Sequence, residues 1–255
     1  PNADFNGTDS FVVEVSDGAL TDLITIEVTV NSVNDAPIIN DGNATLALSA
    51  TEDTTASFSL TSLTAVDVDT ASSGLTWSID TNASHGVAAI SGSGASPSTF
   101  SYVPDGNYTG SDNFVVLVSD GDKNDTIAVN LTVSDVNDGP VINDGNATVN
   151  FTVIEDTSTS FTLNSLTAID IDTASGLLAW SVDTNASHGV ATVSGSGASP
   201  VTFSYLPDGN FTGLDSFVVA VSDGFLADLI TVDLNVTNVN DAPHFTSAPV
   251  AEANQ

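Results

Sequence analysis

The sequence has no cysteine and no arginine, and apart from three histidines its only basic side chain is Lys123. Without cysteine there is no disulfide framework and no thiol chemistry. No apolar stretch approaches the length that crosses a bilayer, so this segment holds no membrane span. The near-absence of cations has the widest consequence. Thirty-three carboxylates give a formal net charge of −32, which repels phosphate and rules against nucleic acid and anionic membrane as partners. Internal salt bridges cannot neutralise so many carboxylates, which must be solvated, screened or bound to metal.

Five of the acids are Glu and twenty-eight are Asp. A generally acidic surface takes either residue, whereas an excess of the shorter one points to turns and to oxygen cages for hard cations. High charge alone would favour disorder, but 41% of the residues are hydrophobic and fall in short alternating runs, as a folded chain requires.

Self-similarity organises the chain. Phe5-Asn6-Gly7-Thr8-Asp9-Ser10-Phe11 returns as Tyr108-Thr109-Gly110-Ser111-Asp112-Asn113-Phe114 and as Phe211-Thr212-Gly213-Leu214-Asp215-Ser216-Phe217, each time 103 residues on. The segments Val33-Asn34-Asp35-Ala36-Pro37, Val136-Asn137-Asp138-Gly139-Pro140 and Val239-Asn240-Asp241-Ala242-Pro243 keep the same period. Residues 37–139 and 140–242 align without a gap and are identical at roughly two positions in three. They read as two complete repeats, flanked by the C-terminal part of one at 1–36 and the start of another at 243–255. The flanking pieces are too short to complement each other, so the chain is expected to be a window on a longer polymer of repeats.

Each repeat reads as all-β. Runs such as Phe114-Val115-Val116-Leu117-Val118 are rich in strand formers, and Ser119-Asp120-Gly121, Pro104-Asp105-Gly106 and Ser91-Gly92-Ser93-Gly94 supply turns. Strands are predicted near 45–50, 56–66, 75–80, 86–91, 98–103, 112–119 and 125–135. About seven short strands in a repeat of this size match an immunoglobulin-like β-sandwich, with Trp77 and Trp180 as core fillers on the third strand.

Four acidic motifs recur in register: Glu52-Asp53, Asp67-Val68-Asp69, Ser119-Asp120-Gly121 and Asn137-Asp138, then Glu155-Asp156, Asp170-Ile171-Asp172, Ser222-Asp223-Gly224 and Asn240-Asp241. In an extended segment the Asp-x-Asp spacing puts both carboxylates on one side, where they repel unless a cation lies between them. Calcium takes six to eight oxygen ligands, and such a set can supply them. Asp9, Asp112 and Asp215 are read instead as braces for their own loops.

These motifs together resemble the cadherin repeat, and more closely the cadherin-like tandem repeats of large prokaryotic cell-surface adhesins and filament proteins. In that family an Asn-Asp pair followed by Pro joins consecutive domains, and an early Glu, an A-x-D-x-D motif and a late Asp converge on the joint. Here Ala65-Val66-Asp67-Val68-Asp69 and Ala168-Ile169-Asp170-Ile171-Asp172 match the central motif. The resemblance implies tandem cadherin-like sandwiches joined end to end, with calcium at the joints. By position, Asn34, Asp35, Asp67, Asp69 and Asp120 would line the first joint. Glu52, Asp135, Asn137, Asp138, Asp170, Asp172 and Asp223 would line the second, and Glu155, Asn240 and Asp241 would serve the third. Ser32 and Asn238 stand where Asp135 supplies an upstream ligand, and the family's L-D-R-E motif is absent.

Other chemistries lack support. His85, His188 and His244 lie in separate repeats and do not form a zinc-ligand pattern, and no nucleophile elbow surrounds any Ser. No enzymatic activity is expected. Eleven Asn-x-Ser/Thr sequons occur, of which Asn43, Asn146, Asn107 and Asn210, in predicted loops, are the candidate glycosylation sites. The leading expectation is an extracellular, calcium-rigidified stalk of a cell-surface adhesin. Its partners would be neighbouring repeats of the same chain and a surface receptor or glycan reached through regions outside this segment. The alternatives are a repeat subunit of a filament or surface layer with homotypic lateral contacts, and a non-catalytic extension of a large secreted enzyme.

Overall fold

The structure is a computed structural model that describes residues 1–243, apart from the side chains of Asp41 and Asp144. The repeat start expected at 243–255 therefore lies, beyond Pro243, outside the described residues. The chain divides between Val136 and Asn137 into two compact units. Both are all-β, as the strand-forming runs predict; helical turns among the described residues are three-residue 3-10 segments, and none could cross a membrane.

In the first unit a four-stranded sheet runs in the order Thr45–Thr51, Asn124–Ser134, Gly110–Ser119, Thr76–Thr81. Its first two strands are parallel and the remainder antiparallel. Opposite lies a three-stranded sheet of Ala56–Ser57, Thr99–Pro104 and Gly86–Ser91. Alternation decides which side chains fill the space between. Phe114, Val116 and Val118 from one strand and Ile127, Val129 and Leu131 from its neighbour point inward, against Phe100, Tyr102, Ala88 and Trp77. Burying a side chain such as Phe114 contributes about 2–3 kcal/mol. The second unit repeats the design, but pairing of Ala179–Thr184 with Gly189–Ser196 joins both sheets into one of seven strands. At the same place the first unit has only the bridge Thr76–Ser93.

The first unit also includes an antiparallel hairpin, Gly7–Ser16 with Thr21–Val30, in the register of Gly110–Ser119 with Asn124–Ser134. Its Phe11 is 55% exposed, whereas Phe114 is fully buried.

Two features depart from the predicted strands. Residues 56–66 form two short strands, Ala56–Ser57 and Ala65–Val66, separated by a 3-10 turn at Leu60–Ser62. The added strand Ile38–Ile39 pairs with Ala65–Val66.

A buried polar corner closes each sandwich. Asp215 accepts hydrogen bonds from Tyr205 Oη (2.6 Å) and from the backbone N–H groups of Ser187 and His188 (3.0 Å each) and Ser216 (2.9 Å). The His188 ring stacks on Phe211 with centroids 4.1 Å apart. In the first unit Asp112, Tyr102, Ser84, His85, Asn113 and Tyr108 repeat the arrangement. Gly189 makes room for this corner, since a Cβ there would stand 2.5 Å from both Tyr205 Oη and the Leu206 carbonyl. Gly189→Ala is accordingly expected to destabilise the second unit by about 2–3 kcal/mol. Gly176→Ala, with nothing within 4 Å of the new methyl, is expected to stay within about 0.5 kcal/mol of the parent. Denaturant titration of both variants checks the contrast.

Candidate metal centre

The Asn34-Asp35 linker of the first unit is held by the loops that carry the recurrent acids. The Asn34 side-chain amide donates to Asp120 Oδ2 at 2.8 Å, and the Asp35 N–H donates to Asp69 Oδ2 at 2.7 Å. Asp67 folds its own loop, its Oδ1 accepting the N–H groups of Asp69 and Thr70 at 2.8 Å each. Its Oδ2 is buried with no hydrogen-bond partner. Asp120 shapes the turn after its strand by accepting from the N–H groups of Asp122 and Lys123, both at 2.7 Å. The Asn34 amide, then those two N–H groups, hold the Asp120 carboxyl below the usual carboxylate range. The short side chain of Asp suits this double use, one oxygen for its own backbone and one for the linker.

The second unit places the corresponding residues alike. The Asn137 amide donates to Asp223 Oδ2 at 2.7 Å, and the Asp138 N–H to Asp172 Oδ2 at 2.7 Å. Asp170 Oδ1 accepts from Asp172 at 3.0 Å and Thr173 at 2.7 Å, and Asp170 Oδ2 is buried without a hydrogen-bond partner. The Asn137 amide and the N–H groups of Phe225 and Leu226 depress the Asp223 carboxyl.

Glu52 and Glu155 each take hydrogen bonds from the end of their own unit. Glu52 is almost fully buried; its Oε1 accepts the Val136 N–H at 2.9 Å and its Oε2 has no partner. The Val136 N–H favours the charged form, but burial and the neighbouring Asp135 and Asp53 carboxylates outweigh it and push the carboxyl up. Glu155 Oε1 instead accepts from the Asn238 amide at 2.6 Å and the Val239 N–H at 2.9 Å. The Asp135-to-Asn238 replacement thus exchanges a second acid for a neutral donor. Asn240 donates to the Asp241 carbonyl at 3.1 Å, and both residues are exposed.

Asp125 and Asp228, outside the recurrent acidic motifs, accept the N–H groups of Ile39 (2.9 Å) and Ile142 (2.8 Å) and so pin the chain just after each linker. Their signal was present, because Asp22, Asp125 and Asp228 keep the 103-residue period. Of the candidate glycosylation sites, Asn43 and Asn146 use their amide groups to bond Asn40 and Asn143 carbonyls (2.7 and 2.6 Å). Asn107 and Asn210 are exposed in turns with positive φ of 58° and 57°.

Chemically, the linker sets consist of hard oxygen donors, and each includes a buried carboxylate oxygen that lacks a hydrogen-bond donor. Such a set fits a divalent cation of the calcium type and fits poorly a soft metal that prefers sulfur or imidazole.

Comparison with curated protein sequences gives no match. Among solved structures, an endo-fucoidan hydrolase of glycoside hydrolase family 107 is similar over 92% of this chain and 35% of its own, at 17% identity and a TM-score of 0.35. Mouse protocadherin-24 domains EC1–3 are similar over 90% of this chain and 80% of theirs, at 15% identity and a TM-score of 0.49. The human protocadherin-24 EC1–2 structure is covered completely by 82% of this chain, at 15% identity and a TM-score of 0.45. The chain thus spans about a third of the hydrolase it resembles. A family model described as bacterial Ig domain matches residues 34–132 and again 137–237. Domains of this class are typically non-catalytic modules of adhesive or structural regions. Two tandem matches, an all-β structure and a repeat-for-repeat identity of residues place the chain in one group: it belongs to the bacterial Ig domain family.

Proposed function

We propose that the chain is a calcium-binding structural region of an extracellular cell-surface protein, acting as an ion-stiffened stalk that holds an adhesive part away from the cell. The observation that supports this most is the recurrence of a buried, donor-less carboxylate oxygen, Asp67 Oδ2 and Asp170 Oδ2, at the same repeat position beside each linker. An ionised oxygen removed from water without a partner is costly, and a divalent cation offsets that cost. In the first unit Asn34, Asp35, Asp67, Asp69 and Asp120 would hold the ion. In the second, Asn137, Asp138, Asp170, Asp172 and Asp223 form the corresponding set. Glu52 with Asp135, and Glu155 with Asn240 and Asp241, are further ligand sources within their own units.

The mechanism is mechanical. Without the ion, carboxylates crowded around a short linker repel one another and the linker loosens. With it, oxygens of the linker and of the repeat that follows are drawn onto one charge, and the hinge loses its freedom. Small-angle X-ray scattering of the whole chain tests the reading. Excess chelator is expected to shorten the maximum dimension, and added calcium to restore it. A profile indifferent to both would sink the stalk mechanism.

A further inference from the structure

The one lysine of the chain sits at a linker. Lys123, in the turn between Gly110–Ser119 and Asn124–Ser134, donates its ammonium to the carbonyl oxygen of Asn34. The same turn supplies the Asp120 carboxylate that takes the Asn34 amide. Carboxylates of Asp67, Asp69, Asp120 and Asp125 each hold backbone or side-chain groups of this linker or its adjoining loop, so acidic groups gather around the segment that Lys123 reaches. At the repeat-equivalent positions stand Leu20 and Leu226. In the second unit the contact between turn and linker is apolar: a Cβ added to Gly139 would meet Leu226 Cβ at 3.4 Å. One turn thus backs its linker in two chemically different ways.

We propose that Lys123 is a built-in counter-cation of the first linker, holding the Asn34 carbonyl and offsetting local carboxylate charge so that this linker depends less on bound metal than the Asn137-Asp138 linker does. A flexible lysine stem suits this role, because the ammonium can yield when a metal ion raises the local positive charge. The inference rests on the calcium reading for its comparison with metal, but its metal-free part stands without it.

Hydrogen exchange of the whole chain, followed by mass spectrometry, separates the two. The readouts are the Asp35 amide, bonded to Asp69, and the equivalent Asp138 amide, bonded to Asp172. In excess chelator, Lys123→Leu is expected to speed exchange at Asp35 about fivefold while leaving Asp138 unchanged. Lys123→Arg is expected to restore protection, and calcium to bring the Leu variant back to the parent rate. The Leu variant carries the residue that the other two repeats use, so it keeps the turn. Equal Asp35 exchange in parent and Lys123→Leu under chelator overturns the proposal, as does an Arg variant that behaves like Leu. If calcium fails to slow Asp138 exchange in the parent, the calcium reading falls, whatever Lys123 does.

Discussion

Asp215→Ala is expected to destabilise the second unit by about 3–5 kcal/mol, the largest effect of any single side chain outside the apolar core. The carboxylate is 9% exposed and takes four hydrogen bonds, from Tyr205 Oη and the N–H groups of Ser187, His188 and Ser216. Removing it leaves those donors facing a small cavity. Tyr205→Phe, which removes only one of the four, is expected to cost about 1–2 kcal/mol. The corner also sets a pH window. Burial alone would raise the Asp215 carboxyl, but the Tyr205 hydroxyl and the three N–H groups outweigh it and hold it below the usual range. A depressed folded pKa means stability that is present above the unfolded value, near ~3.9, and lost as pH falls through the folded one. Tyr205 is shifted upward, by burial first and by its hydrogen bond to Asp215 second. Its contribution is present below the unfolded value, near ~10, and lost as pH rises beyond it. The two units carry one tryptophan each, Trp77 and Trp180, so urea unfolding followed in a Trp77→Phe background reports the second unit alone. A midpoint unchanged by Asp215→Ala would show that the corner contributes nothing.

The sequence exposed the repeat and most of this geometry, because periodicity needs no partner to be seen. Within the first unit the fold brings Asp69 to the Asp35 backbone and Asp120 to the Asn34 side chain. What it hid follows from physics that spans long separations. The single strand predicted over 56–66 fails on parity. Inward residues are even at Ala56 and Phe58 but odd at Leu63 and Ala65, and a strand cannot change face without a break, which the turn at Leu60–Ser62 provides. The second unit shifts likewise between Phe161 and Leu166. The parallel pairing of Thr45–Thr51 with Asn124–Ser134 joins residues some eighty positions apart with no local turn to announce it. Asp125 and Lys123 escaped for a different reason. Asp125 recurs with the repeat and Lys123 does not, but for both only the fold brings the side chain to the backbone at residues 34–39.

The double substitution Asp67→Asn/Asp69→Asn is expected to lower calcium affinity of the first linker about 100-fold or more, and to remove at least one ion from the stoichiometry measured by calorimetry on the whole chain. The reason lies in the division of labour between the oxygens. Asp67 Oδ1 folds the loop through the N–H groups of Asp69 and Thr70, and Asp69 Oδ2 receives the Asp35 N–H. An asparagine keeps an acceptor oxygen for those bonds, so the loop is retained while both charges are removed. What disappears is the anionic pair, including the buried Asp67 Oδ2 that has no hydrogen-bond donor. That oxygen becomes a neutral amide nitrogen, a donor turned toward the proposed ion. Without metal the same change is expected to be neutral or mildly stabilising, since it relieves repulsion between neighbouring carboxylates. A stabilised metal-free form paired with weakened binding is a signature that mere loop damage cannot give. Asp80→Asn is the control, an exposed acid on Thr76–Thr81 whose partner is the neighbouring Thr81 hydroxyl, and it is expected to leave binding unchanged. Identical isotherms for the double variant, the control and the parent would mean that these carboxylates hold no ion, and the proposed stiffening of the first linker would fall with it.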